Sequence, residues 1–87
     1  MRLEYFTATW CQPCKVFGPV VDKVISKLDI PLEKVDVDKN RERVPASVMG
    51  MPTIIMYNEE NVEISRIVGG RSEGDLTMWV LKAGNNV

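Results

Sequence analysis

Histidine is absent from the 87 residues, and cysteine occurs only twice. Without histidine there can be no Cys-His nucleophile pair, and no zinc site built on imidazole within one chain. An excess of one charge is missing too. Eleven basic side chains against 12 acidic ones give a net charge of −1, which offers no footprint for nucleic acid or an anionic membrane. No apolar run approaches the roughly 20 residues of a transmembrane helix, and no charged-then-apolar signal segment stands before the first strand. A cytoplasmic location is expected, with neither nucleic acid nor membrane as partner. In that compartment a closely spaced cysteine pair points to redox or metal chemistry rather than to a structural staple.

What is present describes an ordinary globular chain, 45% hydrophobic and 26% charged. The length argues for a single domain over residues 1–87. A chain of this size buries about 60–65% of its unfolded surface, enough for one thin core.

Both cysteines lie in Trp10-Cys11-Gln12-Pro13-Cys14-Lys15. Cysteines three positions apart can meet only if the backbone curls between them, as it does at a helix N-terminus. There, i and i+3 share a face within reach of the roughly 5.5 Å Cα separation that a disulfide prefers. Pro13 is compatible with a first helical turn, where a missing N–H costs nothing. Cys11 would then meet free N–H groups and the positive end of the helix, which stabilise a thiolate. Cys14 is placed to resolve whatever Cys11 attacks. The alternative for a Cys-x-x-Cys pair is half of a zinc site. With no other cysteine and no histidine, that site would need two chains, and no metal is expected.

Along the chain, Arg2 to Thr9 reads as a strand carrying Leu3, Tyr5 and Phe6. Phe17, Val20, Val21, Val24, Ile25 and Leu28 recur at three- and four-residue spacings, predicting a helix from Pro13 to about Lys27, kinked rather than ended by Pro19. Leu32 to Asp38 alternates as a second strand. The carboxylates of Asp36 and Asp38 at its end lack a third ligand, so they read as solvated side chains rather than a metal site. Asn40 to Met49 reads as a short helix capped by Asn40 and stopped by Gly50. Ile54 to Tyr57 is a buried strand, Asn58 to Asn61 a turn, and Val62 to Val68 its hairpin partner with Val62, Ile64 and Arg66 on one face. Ser72 and Asp75 suggest the cap of a last helix bearing Leu76, Trp79, Val80 and Ala83, closed by Gly84, after which Asn85-Asn86-Val87 should fray. The order is β-α-β-α-β-β-α: an α/β fold with a mixed four-stranded sheet and helices on both faces.

Three of these points together resemble the thioredoxin family. Trp10-Cys11-Gln12-Pro13-Cys14-Lys15 resembles its W-C-x-P-C-K motif, and Met51-Pro52-Thr53 its x-Pro-Thr signature, whose proline is cis. Val68-Gly69-Gly70 before a capped helix resembles the glycine that ends its last strand. The resemblance covers essentially the whole chain and implies a thioredoxin-like fold with a minimal core, close to glutaredoxin size. The implied activity is thiol–disulfide oxidoreduction of protein disulfides through Cys11 as attacking thiolate and Cys14 as resolving thiol. No cofactor would be bound beyond the redox-active Cys11–Cys14 disulfide. Pro52 and the backbone of Met51 would hold an extended substrate, and Trp10 and Gly69 would form an apolar docking rim. Gln12 and Pro13, between the cysteines, would tune the loop. The implied partners are oxidised proteins and a thioredoxin reductase, with the chain expected to act as a monomer.

The departures from the family carry expectations of their own. The usual extra N-terminal strand and helix are missing. Tyr5 stands where thioredoxins carry a buried Asp that helps deprotonate the second cysteine, and Thr7 replaces a usual Trp. Lys34 matches a lysine kept near that acid. Tyr5 and Lys34 are therefore the candidate proton-transfer neighbours of Cys14, and the resolving step is expected to be slower or more pH-dependent than in a full thioredoxin. Gly69-Gly70 through Asp75-Leu76 also looks like the Gly-Gly…Asp segment with which glutaredoxins bind glutathione. A glutaredoxin-like or ribonucleotide-reductase-specific redoxin is the alternative within the superfamily. A redox-inactive thioredoxin-fold docking module is the alternative from a different functional class.

Overall fold

Strand β1 (Arg2–Thr7) lies inside the sheet, so its apolar residues are buried on both sides: Leu3 and Tyr5 toward one layer, Phe6 toward the other. In the computed structural model, which describes residues 1–85, it is followed by helix α1 (Gln12–Leu28), β2 (Leu32–Asp36), a 3-10 turn at Arg41–Arg43, β3 (Thr53–Tyr57), β4 (Glu63–Val68) and helix α2 (Glu73–Gly84). The strand order is β2-β1-β3-β4. β1 and β2 run parallel, and β1–β3 and β3–β4 are antiparallel. The fraying expected at Asn86 and Val87 lies outside the described residues.

Helix α1 continues through Pro19 and ends at Asp29, whose left-handed conformation (φ 53°) returns its N–H to the carbonyl of Ile25. Its Phe17, Val21 and Val24 meet Leu76 and Val80 of α2 over Leu3, Tyr5, Ile54, Met56 and Ile67. Both helices therefore pack on one face of the sheet. Helix α2 begins as anticipated, the Ser72 hydroxyl accepting the N–H of Asp75 at 3.1 Å. Trp79 is partly buried against this core, its Nε1 donating to Ser65 Oγ at 2.8 Å.

The other face corrects the expected arrangement. No helix forms over 40–49 beyond the single turn at Arg41–Arg43, and Asn40 makes no side-chain cap there. The cause is Pro45, which lacks a donor and forces the residue before it out of helical space. Val44 is accordingly extended at φ −93°, ψ 115°. Irregular chain thus covers this face, with Val37, Val44, Val48 and Met51 lying over Phe6, Val35 and Ile55. Side chains tie the segment down: Arg43 pairs with Glu33 and Glu4, and Arg66 reaches Ser47 Oγ at 3.1 Å.

Two strand details also differ. β2 stops at Asp36, not Asp38, because the Asp36 carboxylate accepts the N–H groups of Asp38 (2.9 Å) and Lys39 (3.2 Å) and turns the chain. In β4, a register shift beside Met56/Tyr57 breaks the simple alternation. Val62 is exposed, Ile64 packs toward the helices, and Arg66, paired with Ile55, lies on the opposite face.

Candidate active site

The turn leaving β1 places Cys11 at the N-cap of α1. Its N–H returns to Ala8 O (3.2 Å), and its carbonyl accepts the N–H of Lys15 (3.2 Å). Its sulfur accepts the N–H of Cys14 at 3.2 Å, so a sulfur does the work of a capping oxygen. Cys11 and Cys14 form a disulfide with Cα atoms 5.2 Å apart, and both are buried. Gln12 and Pro13 complete the exposed first turn, which contains no acidic side chain to oppose a thiolate. Once reduced, Cys11 faces the backbone N–H of Cys14 and the positive end of a 17-residue helix.

Trp10 projects beside the pair, 64% exposed, and is held by a 2.6 Å hydrogen bond from its Nε1 to the carboxylate of Asp38. Sequence reasoning missed this role. Only the fold brings residue 38, at the end of β2, to the turn after β1. Met51 packs in the same cluster as both cysteines, and the Met51–Pro52 peptide is cis. The carbonyl of Pro52 accepts the N–H of Gly69 at 2.8 Å, joining these two positions. Gly69 has φ +88°, a conformation that side-chain-bearing residues rarely adopt.

Tyr5 and Lys34, the two proton-transfer candidates, stand differently toward Cys14. The Tyr5 hydroxyl donates to the backbone carbonyl of Cys14 at 3.3 Å, while its ring meets Phe17 edge-on at 6.1 Å. Burial pushes its phenol above the ordinary tyrosine range. A hydrogen bond with Thr7 and the charge of Lys34 pull it partly back, and Asp22 adds to the rise. Lys34 is exposed and paired with Asp22 at 2.8 Å. Among the described residues, no three His, Cys, Asp or Glu side chains are grouped to share a metal ion.

The Thioredoxin family model matches residues 2–82. The chain belongs to the thioredoxin family. It is 33% identical over 78 residues to a thioredoxin of Pseudomonas aeruginosa, an alignment covering 86% of this chain and 71% of that protein. It is 35% identical over 74 residues to a Mycobacterium tuberculosis thioredoxin, covering 82% of this chain but only 63% of the relative. The solved thioredoxin 1 of Thermosipho africanus superposes with a TM-score of 0.82 at 28% identity, over 99% of this chain and 97% of that one. This is thus a thioredoxin-family domain carrying the Cys-x-x-Cys pair of a thiol–disulfide oxidoreductase. Two sulfurs at bonding distance, one of them at a helix N-terminus, can exchange a disulfide with a substrate and store two electrons as dithiol.

Proposed function

We propose that this chain is a protein-disulfide reductase and general electron donor of the thioredoxin type. The reduced Cys11 thiolate attacks one sulfur of a substrate disulfide, forming a mixed disulfide and releasing the first substrate thiol. Cys14 then attacks Cys11 Sγ, closing the Cys11–Cys14 disulfide and releasing the second. The chain loses two electrons and the substrate gains them. The observation that carries this reading is the placement of the Cys11 sulfur on the N–H of Cys14 at the start of α1. It favours thiolate at Cys11 over Cys14 and so supports attack by the first cysteine.

The substrate would lie extended along Met51 and Pro52, with Trp10 and Gly69 as its rim and Gln12 and Pro13 beneath. Met51 packs with Cys11 and Cys14, and Pro52 is bonded to Gly69, which supports this docking. A thioredoxin reductase is the expected reductant. One relative, from Mycobacterium leprae, is named a bifunctional thioredoxin reductase/thioredoxin and is 35% identical over 74 residues, covering 82% of this chain and 16% of that protein. The cytosol, where thiols stay reduced, is the compartment in which such a donor works.

The test is insulin-disulfide reduction driven by either thioredoxin reductase with NADPH or reduced glutathione. Wild type should be turned over by the reductase and weakly by glutathione. Cys11→Ser should lose activity by at least about a thousandfold while keeping its far-ultraviolet circular dichroism, because the attacking sulfur is gone. Full activity in Cys11→Ser would reject the assignment, and efficient recycling by glutathione would move the chain to the glutaredoxin-like class. Cys14→Ser should trap mixed disulfides with its target proteins.

A further inference from the structure

A cleft of about 320 Å³ opens onto Cys14 and is lined by Thr7, Ala8, Thr9, Cys14, Lys15 and Asp36. It exists because the end of β1 contributes only small side chains, Thr7, Ala8 and Thr9, between α1 and the end of β2. Its volume admits several waters; its surface is mainly apolar, and the polar groups bordering it are the Thr7 and Thr9 hydroxyls, the Lys15 ammonium and the Asp36 carboxylate. Cys14 itself is 4% exposed, and it lines this cleft together with Asp36.

Resting on the dithiol mechanism above, we infer that Asp36, acting through water in this cleft, accepts the proton that Cys14 loses when it attacks the mixed disulfide. Among the described residues, Asp36 is the only carboxylate in the lining. Its Oδ1 is fixed by the N–H groups of Asp38 and Lys39, while among the described residues Oδ2 has no protein partner and is available to water. The other titratable groups near Cys14 are less suitable. Tyr5 spends its hydroxyl on the Cys14 carbonyl rather than its sulfur, and burial holds its proton on. Lys34 is committed to Asp22 and, like it, stands outside the cleft. Lys15, from α1, brings a donor-only ammonium that can orient water or a carboxylate.

In this step the Cys14 S–H bond breaks and its proton passes through water to Asp36. The freed electron pair forms the bond to Cys11 Sγ, and the Cys11–substrate S–S bond breaks. The departing substrate sulfur leaves as thiolate and takes up a proton from solvent, and Asp36 returns its proton to water. Asp36 is thus a positioning and relay group for Cys14 and does not touch the substrate.

The reduced chain mixed with 5,5′-dithiobis(2-nitrobenzoate) gives a two-step readout. The first nitrothiobenzoate released reports attack by Cys11, and the second reports resolution by Cys14. Asp36→Asn retains the Oδ1 acceptor that turns the chain, so the fold should persist. Its second release should slow roughly tenfold at pH 6.5, less than the about hundredfold expected of a base in direct contact, because water intervenes. Its rate should then rise tenfold per pH unit toward the cysteine range near about 8.5, where wild type is shallower. Thr7→Leu, which fills the cleft from the strand partner of Asp36 and leaves both N–H bonds to Asp36 Oδ1 in place, should slow the same phase. Wild-type rates and pH profile in both variants would overturn the relay. So would a tenfold loss in Tyr5→Phe with none in Asp36→Asn, which would assign the proton to the phenol. Absence of any second release in wild type would instead reject the dithiol mechanism itself.

Discussion

The two faces of the sheet are covered by different kinds of chain. On one, two helices lay Phe17, Val21, Val24, Leu76 and Val80 over the strands. On the other, residues 37–52 do the covering with one 3-10 turn, and side-chain bonds to Glu4, Glu33 and Arg66 hold them in place. Both cysteines and Met51 belong to the second cluster. The regular face holds the larger apolar cluster, and the irregular face holds the two sulfurs. Regular helices satisfy their own backbone and leave little of it to offer. An irregular segment leaves N–H and C=O groups available for pairing with a partner strand.

Ile54 and Ile55 give the sharpest way to break this division, since they are adjacent in β3, fully buried and on opposite faces. Truncating either to Ala should cost about 3 kcal/mol in urea unfolding. Only Ile55→Ala should alter the reduction potential and the alkylation rate of Cys11, because only Ile55 packs in the cysteine cluster. Equal redox changes in both would show that the faces are not separable.

A smaller effect is expected at the cap of the helical face. Ser72→Ala removes the acceptor for the N–H of Asp75 and should lower stability by about 1 kcal/mol, measured by thermal or urea unfolding, with insulin reduction unchanged. The complementary change on the cysteine side is Trp10→Phe, which removes the indole donor to Asp38. It should leave stability nearly untouched and lower kcat/KM for insulin roughly threefold, about 0.7 kcal/mol, the low end of the net worth of a hydrogen bond because this one is exposed. Asp38→Asn, which keeps an acceptor, should lose less.

The smallest effect is a pH dependence. Burial raises the pKa of Tyr5, so above about pH 10 the unfolded chain releases a proton that the folded chain keeps. The unfolded state then binds fewer protons, and stability should fall as pH rises through that region. Tyr57, raised by burial and by Glu4, contributes in the same direction. Urea midpoints between pH 8 and 11 should therefore decline less steeply in Tyr5→Phe.

The helical face is largely legible in the order of residues alone. Repeated apolar positions at three- and four-residue spacing mark α1, and Ser72 marks the start of α2, because a helix states its buried side and its cap locally. The irregular face is not legible in that way. An apolar and charged run from Asn40 to Met49 looks helical by pattern, yet Pro45 and the extended Val44 before it hold the chain open. In β4 a bulge defeats the period-2 reading that places Arg66 beside Ile64.

By itself the sequence determined the Cys11/Cys14 pair at a helix start, the element order apart from one helix, and the family. Each of these rests on residues close together along the chain or on motifs in a fixed order. The tertiary structure decided which face each element covers. It also decided that Asp38 steadies Trp10, that Pro52 is bonded to Gly69, and that Asp36 rather than Tyr5 shares a cleft with Cys14. Those partners are separated by 17 to 28 positions in the chain. Only the strand order brings them together, and no local propensity encodes such a meeting.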